Sequence, residues 1–311
     1  MTDSSGPRPW GAEEDKAVRV LAQSALDEDL ITPDGRRGDA TCLALVPENF
    51  TGQAWFDSRV DGRVAGLPLL ATVFKLIDER VEVEVTATEG GSIKPGDRLA
   101  RVFGPMRALL TGERTALNFL QRLCGVATQA EKFSRVVDDL PCVILDTRKT
   151  TPGWRVLEKY AVRMGGATNH RMGLADGILI KDNHLAALSG TAVATPSIVA
   201  KAIRQARAYG ETHPGLMIEV EVDNIEQFEA ALAESPDVAL LDNFSLEMLR
   251  QAVALRNRLA PGVKLEASGG IRLENLRAVA QTGVDRISIG ALTHQATSID
   301  IGLDYAPPGA Q

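Results

Sequence analysis

The sequence predicts the α/β fold class in two parts, a smaller α+β module followed by a parallel α/β barrel. Two observations carry this. After Pro141, short apolar runs alternate with loops and helix-like segments, and from Leu216 onward a strand-like run returns roughly every 22 to 25 residues, the length of one strand–helix unit. Before about residue 110 the pattern is one short alternation, a turn-rich stretch and two helical segments, which reads as mixed α and β rather than a repeat.

Taken in order, helices are expected near Glu13–Asp29 and Leu67–Asp78, and a strand over the alternating Val81-Glu-Val-Glu-Val85. Gly90-Gly-Ser-Ile-Lys-Pro-Gly-Asp97 is turn-rich. Thr115–Val137 reads as a long helix bridging the two parts, with Leu117, Leu120, Leu123 and Val126 on related faces. The barrel runs are Cys142–Leu145, Gly177–Ile180, Leu216–Val222, Val238–Leu241, Val263–Ala267 and Arg286–Ile289. Ile225–Ala233, Leu246–Leu259 and Leu273–Thr282 between them carry apolar residues at helical spacing. Leu185–Pro196, rich in Ala, Ser and Thr, reads as a variable loop. Ile299–Tyr305 falls after the barrel pattern and is expected to return to the first part. The domains expected are 1–125 joined by 296–311, and 126–295.

Composition narrows the function. At 44% hydrophobic residues the chain can bury a large core. Its formal charge of −7 lacks the broad Lys/Arg stripe that a nucleic-acid surface needs. No apolar run reaches membrane-spanning length, and the polar start has no signal-peptide pattern, which points to a soluble cytoplasmic protein with no membrane partner. Cys42, Cys124 and Cys142 are far apart and read as reduced, buried thiols.

Against this acidic background one stretch stands out. From Asp146 to His184 there are seven cations, Arg148, Lys149, Arg155, Lys159, Arg163, Arg171 and Lys181, against four acids, with His170 and His184 beside them. This concentration points to a pocket for a small polyanion. Arg148 and Lys149 follow the end of an apolar strand, where barrel active sites are built. Arg155, Lys159 and Arg163 lie at helical spacing and read as ordinary solvated charges or rim ion pairs. His170 alone would more often be a packed histidine than a catalytic one, and His184 remains open. Glu219, Glu221 and Asp223 alternate with Val220 and Val222, so in a strand all three acids face one way and call for a cation. Ser268-Gly269-Gly270 and Gly290 follow the last two strand runs, where a barrel commonly binds phosphate.

Thr111-Gly-Glu-Arg-Thr-Ala-Leu-Asn118, Asp146-Thr-Arg-Lys-Thr-Thr-Pro-Gly153, Gly166–His170, Ile180-Lys-Asp-Asn-His184, Ile218–Asp223, Leu241-Asp-Asn243, Glu266-Ala-Ser-Gly-Gly-Ile271 and Ser288–His294 occur in one order along nearly the whole chain. Together they resemble the quinolinate phosphoribosyltransferase family, the carboxylating nicotinate-nucleotide pyrophosphorylases. The resemblance implies an N-terminal α/β sandwich and an incomplete, roughly seven-stranded barrel. It also implies a homodimer, alone or as a trimer of dimers, in which one subunit's first domain caps the other's barrel. The implied reaction joins quinolinate to phosphoribosyl pyrophosphate, releasing pyrophosphate and carbon dioxide, with Mg²⁺ and no organic cofactor. By the same resemblance quinolinate is held by Arg148, Lys149, His170, Arg171 and Lys181, with Arg114 from the partner subunit. Lys149, Lys181, Glu221 and Asp242 serve the phosphoribosyl pyrophosphate, with Glu221 and Asp242 on the ribose hydroxyls and metal, and Lys149, Glu221 and Asp242 as the catalytic set. Ser268, Gly269, Gly270 and Gly290 would hold the 5-phosphate, with His294 nearby. Glu219 is either a further metal contact or an ion-pair partner of one of the basic residues. Two other readings stand beside this: a lyase forming a Schiff base on Lys149 or Lys181, and a non-catalytic anion-binding protein.

Overall fold

Helix α1 (Ala12–Leu30) opens the described chain, and its start follows from local chemistry. The Glu14 carboxylate accepts the Gly11 N–H at 3.1 Å, and Glu13, Glu14 and Asp15 load the first turn with the charge that a helix N-terminus favours. A computed structural model describes residues 8–191 and 194–306. These form two compact units, one from 8–131, 149–166 and 291–306, the other from 132–148 and 167–290.

The first unit contains α1, α2 (Ala40–Leu45), β1 (Thr51–Ser58), β2 (Gly62–Arg63), α3 (Pro68–Ile77), β3 (Glu82–Val85), β4 (Ser92–Ile93) and β5 (Arg98–Pro105). Most of α4 (Met106–Val136), all of α5 (Arg155–Met164) and α11 (Ala291–His294), and β12 (Ile301–Ala306) complete it. Its sheet runs β12-β1-β5-β3, antiparallel throughout, while β2 and β4 form a separate pair. The strand after the barrel pattern thus pairs with β1, as its late apolar run predicts. Pro68 begins α3, where its missing N–H costs nothing, and Leu69, Leu70, Val73 and Phe74 bury one face. In α1, Val18, Ala22 and Leu26 repeat every fourth residue and are buried.

Helix α5 departs from expectation. Lys159 is fully buried rather than solvated, and Arg163 is largely buried with its guanidinium 2.9 Å from the buried Glu14 carboxylate. Glu158, also fully buried, accepts from Arg122 at 2.6 Å and from the Thr151 hydroxyl at 2.8 Å. Helical spacing among the three cations does not distinguish a surface helix from one buried on most sides.

In the second unit, β6 (Val143–Leu145), β7 (Ile178–Ile180), β8 (Ile218–Val222), β9 (Val238–Asp242), β10 (Lys264–Ser268) and β11 (Arg286–Ser288) form a parallel sheet, ordered β6-β11-β10-β9-β8-β7. Helices α6 (Asp182–Ser189), α7 (Pro196–Thr212), α8 (Ile225–Ala233), α9 (Leu246–Leu259) and α10 (Leu273–Ala280) separate the strands, the succession of a partial α/β barrel. Among the described residues this sheet has six strands rather than about seven. Thr168 adds one parallel rung beside Leu145 and no more, because the Asp146 carboxylate takes the next polar groups, Asn169 Nδ2 at 2.7 Å and the His170 N–H at 2.8 Å. The expected loop over Leu185–Pro196 also needs correction: α6 occupies it through Ser189 and ends at Gly190, whose φ of 71° suits glycine. Residues 192 and 193 of that stretch lie outside the described chain. Asn224 and Ser245 cap α8 and α9, accepting the N–H of Gln227 at 2.9 Å and of Met248 at 3.3 Å. All three cysteines are buried. No described helix is long and apolar enough to cross a membrane.

Candidate active site

Because the six strands are parallel, their C-terminal ends share one side of the barrel, and the chain places its polar candidates there. Arg148 lies three residues after β6, His170 and Arg171 follow the Thr168 rung, and Lys181 follows β7. Glu221 is in β8, Asp242 ends β9, Ser268 ends β10, and Gly290 lies two residues after β11. Arg114, Lys149 and His294 belong to the other unit. There the Thr293 hydroxyl donates to the Lys149 carbonyl at 2.7 Å, which ties the Lys149 loop to α11, the helix that ends in the exposed His294. Arg114 is exposed on α4.

Two cations dominate the second unit's site. The Arg148 Nε is buried and has no hydrogen-bond partner among the described residues. Arg171 donates to the Gly177 carbonyl at 2.9 Å, and burial and the nearby Arg148 charge both push its guanidinium below the usual arginine range. A guanidinium disfavoured by burial and by a second one beside it makes a site suited to an anion.

The three acids expected on one face of β8 have separate fates. Glu221 meets the Lys181 ammonium at 2.5 Å. Asp223 lies past the strand's end, exposed, its N–H donating to Gln227 Oε1. Glu219 is buried and pairs with His170, Nε2 to Oε2 at 3.1 Å. Of the two roles expected for it, the observed one is the ion pair. His170 also faces Glu266 at 3.5 Å, whose other oxygen meets Arg286 Nε at 2.9 Å. Burial works against an imidazolium here, but the two carboxylates outweigh it and push His170 up to about 9. Burial raises Glu219, whereas Glu266 is lowered, its own burial outweighed by His170, Ser288 and Arg286. Two buried acids with one guanidinium are electrically balanced by one extra proton.

Glu266, Asp146 and Arg286 were not singled out from the sequence. A signal for Glu266 exists: it stands between Leu265 and Ala267 in β10, as Glu219 and Glu221 stand between apolar residues in β8. His184, left open by the sequence, accepts the Lys181 N–H at 2.9 Å and so helps to start α6.

At the phosphate-type turns, Gly269 has φ 90°, and a Cβ there would meet Asn243 Oδ1 at 2.2 Å. The Asn243 N–H donates to the Ser268 carbonyl at 2.9 Å, so the β9 and β10 loops interlock and only glycine fits between them. Gly270, at φ 61°, has open space around it. Asp242 accepts from Asn243 Nδ2 at 2.6 Å.

The sequence profile of the quinolinate phosphoribosyl transferase C-terminal domain matches residues 126–304, and that of the N-terminal domain matches residues 39–124. The chain belongs to the quinolinate phosphoribosyl transferase family. Among the family's members, the nicotinate-nucleotide pyrophosphorylase (carboxylating) of Mycobacterium leprae is 43% identical over 293 residues, covering 93% of this chain and 97% of that one. The probable nicotinate-nucleotide pyrophosphorylase (carboxylating) of Bacillus subtilis is 42% identical over 268 residues, covering 86% and 88%. The solved nicotinate-nucleotide pyrophosphorylase of Francisella tularensis, at 33% identity, superimposes with a TM-score of 0.83 over 98% of this chain and 100% of that one. NadC of Streptococcus pyogenes, at 35% identity, gives 0.85 over 96% and 100%. The two family domains meet at residue 125, inside α4, the helix expected to bridge the two parts.

The other two chemistries fit less well. A Schiff-base lysine must be desolvated, whereas Lys181 is nearly half-exposed and paired with the Glu221 carboxylate. A simple anion binder has no use for Glu221 and Asp242 at the ends of neighbouring strands.

Proposed function

We propose that this chain transfers phosphoribosyl from phosphoribosyl pyrophosphate to the ring nitrogen of quinolinate, releasing pyrophosphate and carbon dioxide and leaving nicotinate mononucleotide. The observation that carries the proposal is the buried Arg148 Nε without a partner beside an Arg171 already burdened by its charge. A planar dicarboxylate fills that need twice over, since each carboxylate can take a guanidinium fork. In this reading His170, Lys149 and Lys181 complete the grip, and Arg114 reaches it from a second copy of the chain. A homodimer is supported by the surroundings of Arg114. Arg107 and Thr111 on the same helix bind the Val46 carbonyl and the Asp39 carboxylate, which brings α2 and its exposed Leu43 and Leu45 beside the exposed Leu110 and Arg114.

Glu221 and Asp242 would hold the ribose hydroxyls and Mg²⁺ together with the diphosphate. The donor set suits that ion, which commonly uses one or two carboxylates and phosphate oxygens. Lys181 already neutralises Glu221, so an anionic substrate that draws the ammonium away would free the carboxylate. The bound ion would supply positive charge to the departing pyrophosphate. Ser268, Gly269, Gly270, Gly290 and His294 are assigned to the 5-phosphate.

The chain's own residues then act by position and charge. Arg148 and Arg171 orient the pyridine so that its nitrogen faces C1 of the ribose, and the C1–oxygen bond breaks as the carbon–nitrogen bond forms. Lys149 stabilises the leaving pyrophosphate, and Glu221 and Asp242 stabilise the positive sugar. The positive charge on the alkylated ring nitrogen then stabilises the electron pair left on the adjacent carbon as its carboxylate leaves as carbon dioxide, and that carbon takes a proton from water. Functional domains at 1–125 with 296–311 and at 126–295, and a cytoplasmic location that keeps Cys42, Cys124 and Cys142 reduced, belong to the same proposal.

The test is product formation from quinolinate and phosphoribosyl pyrophosphate with and without Mg²⁺, with nicotinate in parallel. Metal-dependent turnover of quinolinate alone is expected. Turnover of nicotinate instead would remove the role given to the arginines.

A further inference from the structure

Arg286 is the first residue of β11, at the end of the barrel opposite the candidate site, and it is in register with Glu266 of β10. Its Nε holds Glu266 at 2.9 Å, Glu266 faces His170 at 3.5 Å, and His170 faces Glu219 at 3.1 Å. Glu266 is fully buried and His170 and Glu219 nearly so, so the three depend on one another and on Arg286 for polar partners. The far side of Arg286 differs. It lines a cavity of about 730 Å³ at the N-terminal mouth of the strands, with Met217, Asp237, Val238, Gly262 and Lys264. Its Nη1 lies 4.0 Å from the Met217 sulfur.

We propose that Arg286, acting through Glu266, is a positioning residue that fixes the His170 ring for the substrate from the opposite mouth of the barrel. The inference rests on the assignment of His170 to the quinolinate pocket. With Arg286 in place, Glu266 is neutralised on one oxygen and offers the other to His170, so the ring is held between two acids in one orientation. Without it the imidazole is the cationic partner left to Glu266 among the described residues. The ring is pulled toward β10 and its hold on the substrate carboxylate loosens, while the groups assigned to phosphoribosyl pyrophosphate are untouched.

The cavity provides the test. Arg286→Ala opens a passage from that mouth to Glu266, through which guanidinium can enter. In the full-length protein, Arg286→Ala is expected to raise KM for quinolinate roughly tenfold, the usual scale for a residue behind a binding group. KM for phosphoribosyl pyrophosphate should stay within about twofold. Sub-denaturing guanidinium chloride, but not sodium chloride at equal ionic strength, should bring KM for quinolinate back. Glu266→Gln, nearly isosteric, should raise the same KM without any guanidinium response, and it carries the test if Arg286→Ala does not fold. An unchanged quinolinate KM, or equal loss toward both substrates with no rescue, overturns the positioning role while leaving the function intact. A wild-type protein inactive on quinolinate overturns the functional reading and this inference with it.

Discussion

Removing the Arg148 guanidinium takes away a buried nitrogen that has no hydrogen-bond partner among the described residues, and with it the repulsion that burdens Arg171. Arg148→Ala should therefore raise KM for quinolinate by roughly a hundredfold, about 3 kcal/mol for a charge-assisted pair, without lowering Tm. Steady-state kinetics with a thermal melt checks both halves, and a matching fall in Tm would mean that Arg148 supports the fold instead. The His170 cluster makes a second prediction. Its imidazole rises from 6.5 to about 9 on folding, so between those values the folded chain binds more protons than the unfolded one. The stability this contributes is fully present below pH 6.5 and is lost as pH climbs through about 9. Tm should decline across that window in the wild type and stay nearly level in Glu219→Gln, which leaves one acid to one guanidinium. The buried thiols of Cys42, Cys124 and Cys142, pushed up to about 11, 12 and 12, act in the same direction only above their ordinary 9.0 and do not blur the window. The cations at strand ends were legible because they contrast with an acidic chain. Glu266 and Arg286 were not, since one acid in an apolar run carries no hint of which barrel residue it faces.

Among elements, α4 shows how a small residue decides a packing. A Cβ at Gly125 would lie 2.0 Å from the Thr297 carbonyl oxygen and 3.0 Å from Ser298 Cα. Alanine improves helix propensity by about 1 kcal/mol at an interior glycine, but forcing a methyl against backbone costs roughly 1–3 kcal/mol or more. Gly125→Ala should therefore lower Tm, and a rise would show that the segment after α11 yields freely. Long, periodic elements were readable in advance: α1, α3, α9 and the strands of the barrel fall within a few residues of their apolar patterns. Helix α6 was not. It buries Leu185 and little else, so no stripe announced it, and its ends are set by the His184 contact and Gly190. The seventh strand stops at its Thr168 rung for another reason, since the Asp146 carboxylate takes the His170 N–H that would extend it.

At the scale of the molecule, the proposed dimer makes each site depend on two chains. Arg114→Ala and Arg148→Ala should each be nearly inactive, yet mixing them by co-expression should restore activity that neither has alone, because a mixed dimer keeps one site intact. Failure of complementation, with both variants folded, would place Arg114 in the same subunit's site or outside it. The sheet of the first unit has its own dependence on chain order. Strand β1 is flanked by β5 and by β12, the last strand among the described residues, and β12 is anchored to α4 by Gln121 Nε2 on the Ile301 carbonyl at 2.7 Å. During translation β1 emerges long before its neighbour, a wait on the order of ten seconds or more at 5–20 residues per second. The barrel strands, made in between, can close first, while β1 keeps an open edge on the ribosome, the kind of surface that nascent-chain chaperones cover. Synthesis that stalled before β12 would then release a chain whose barrel strands are made and whose β1 keeps a sticky edge.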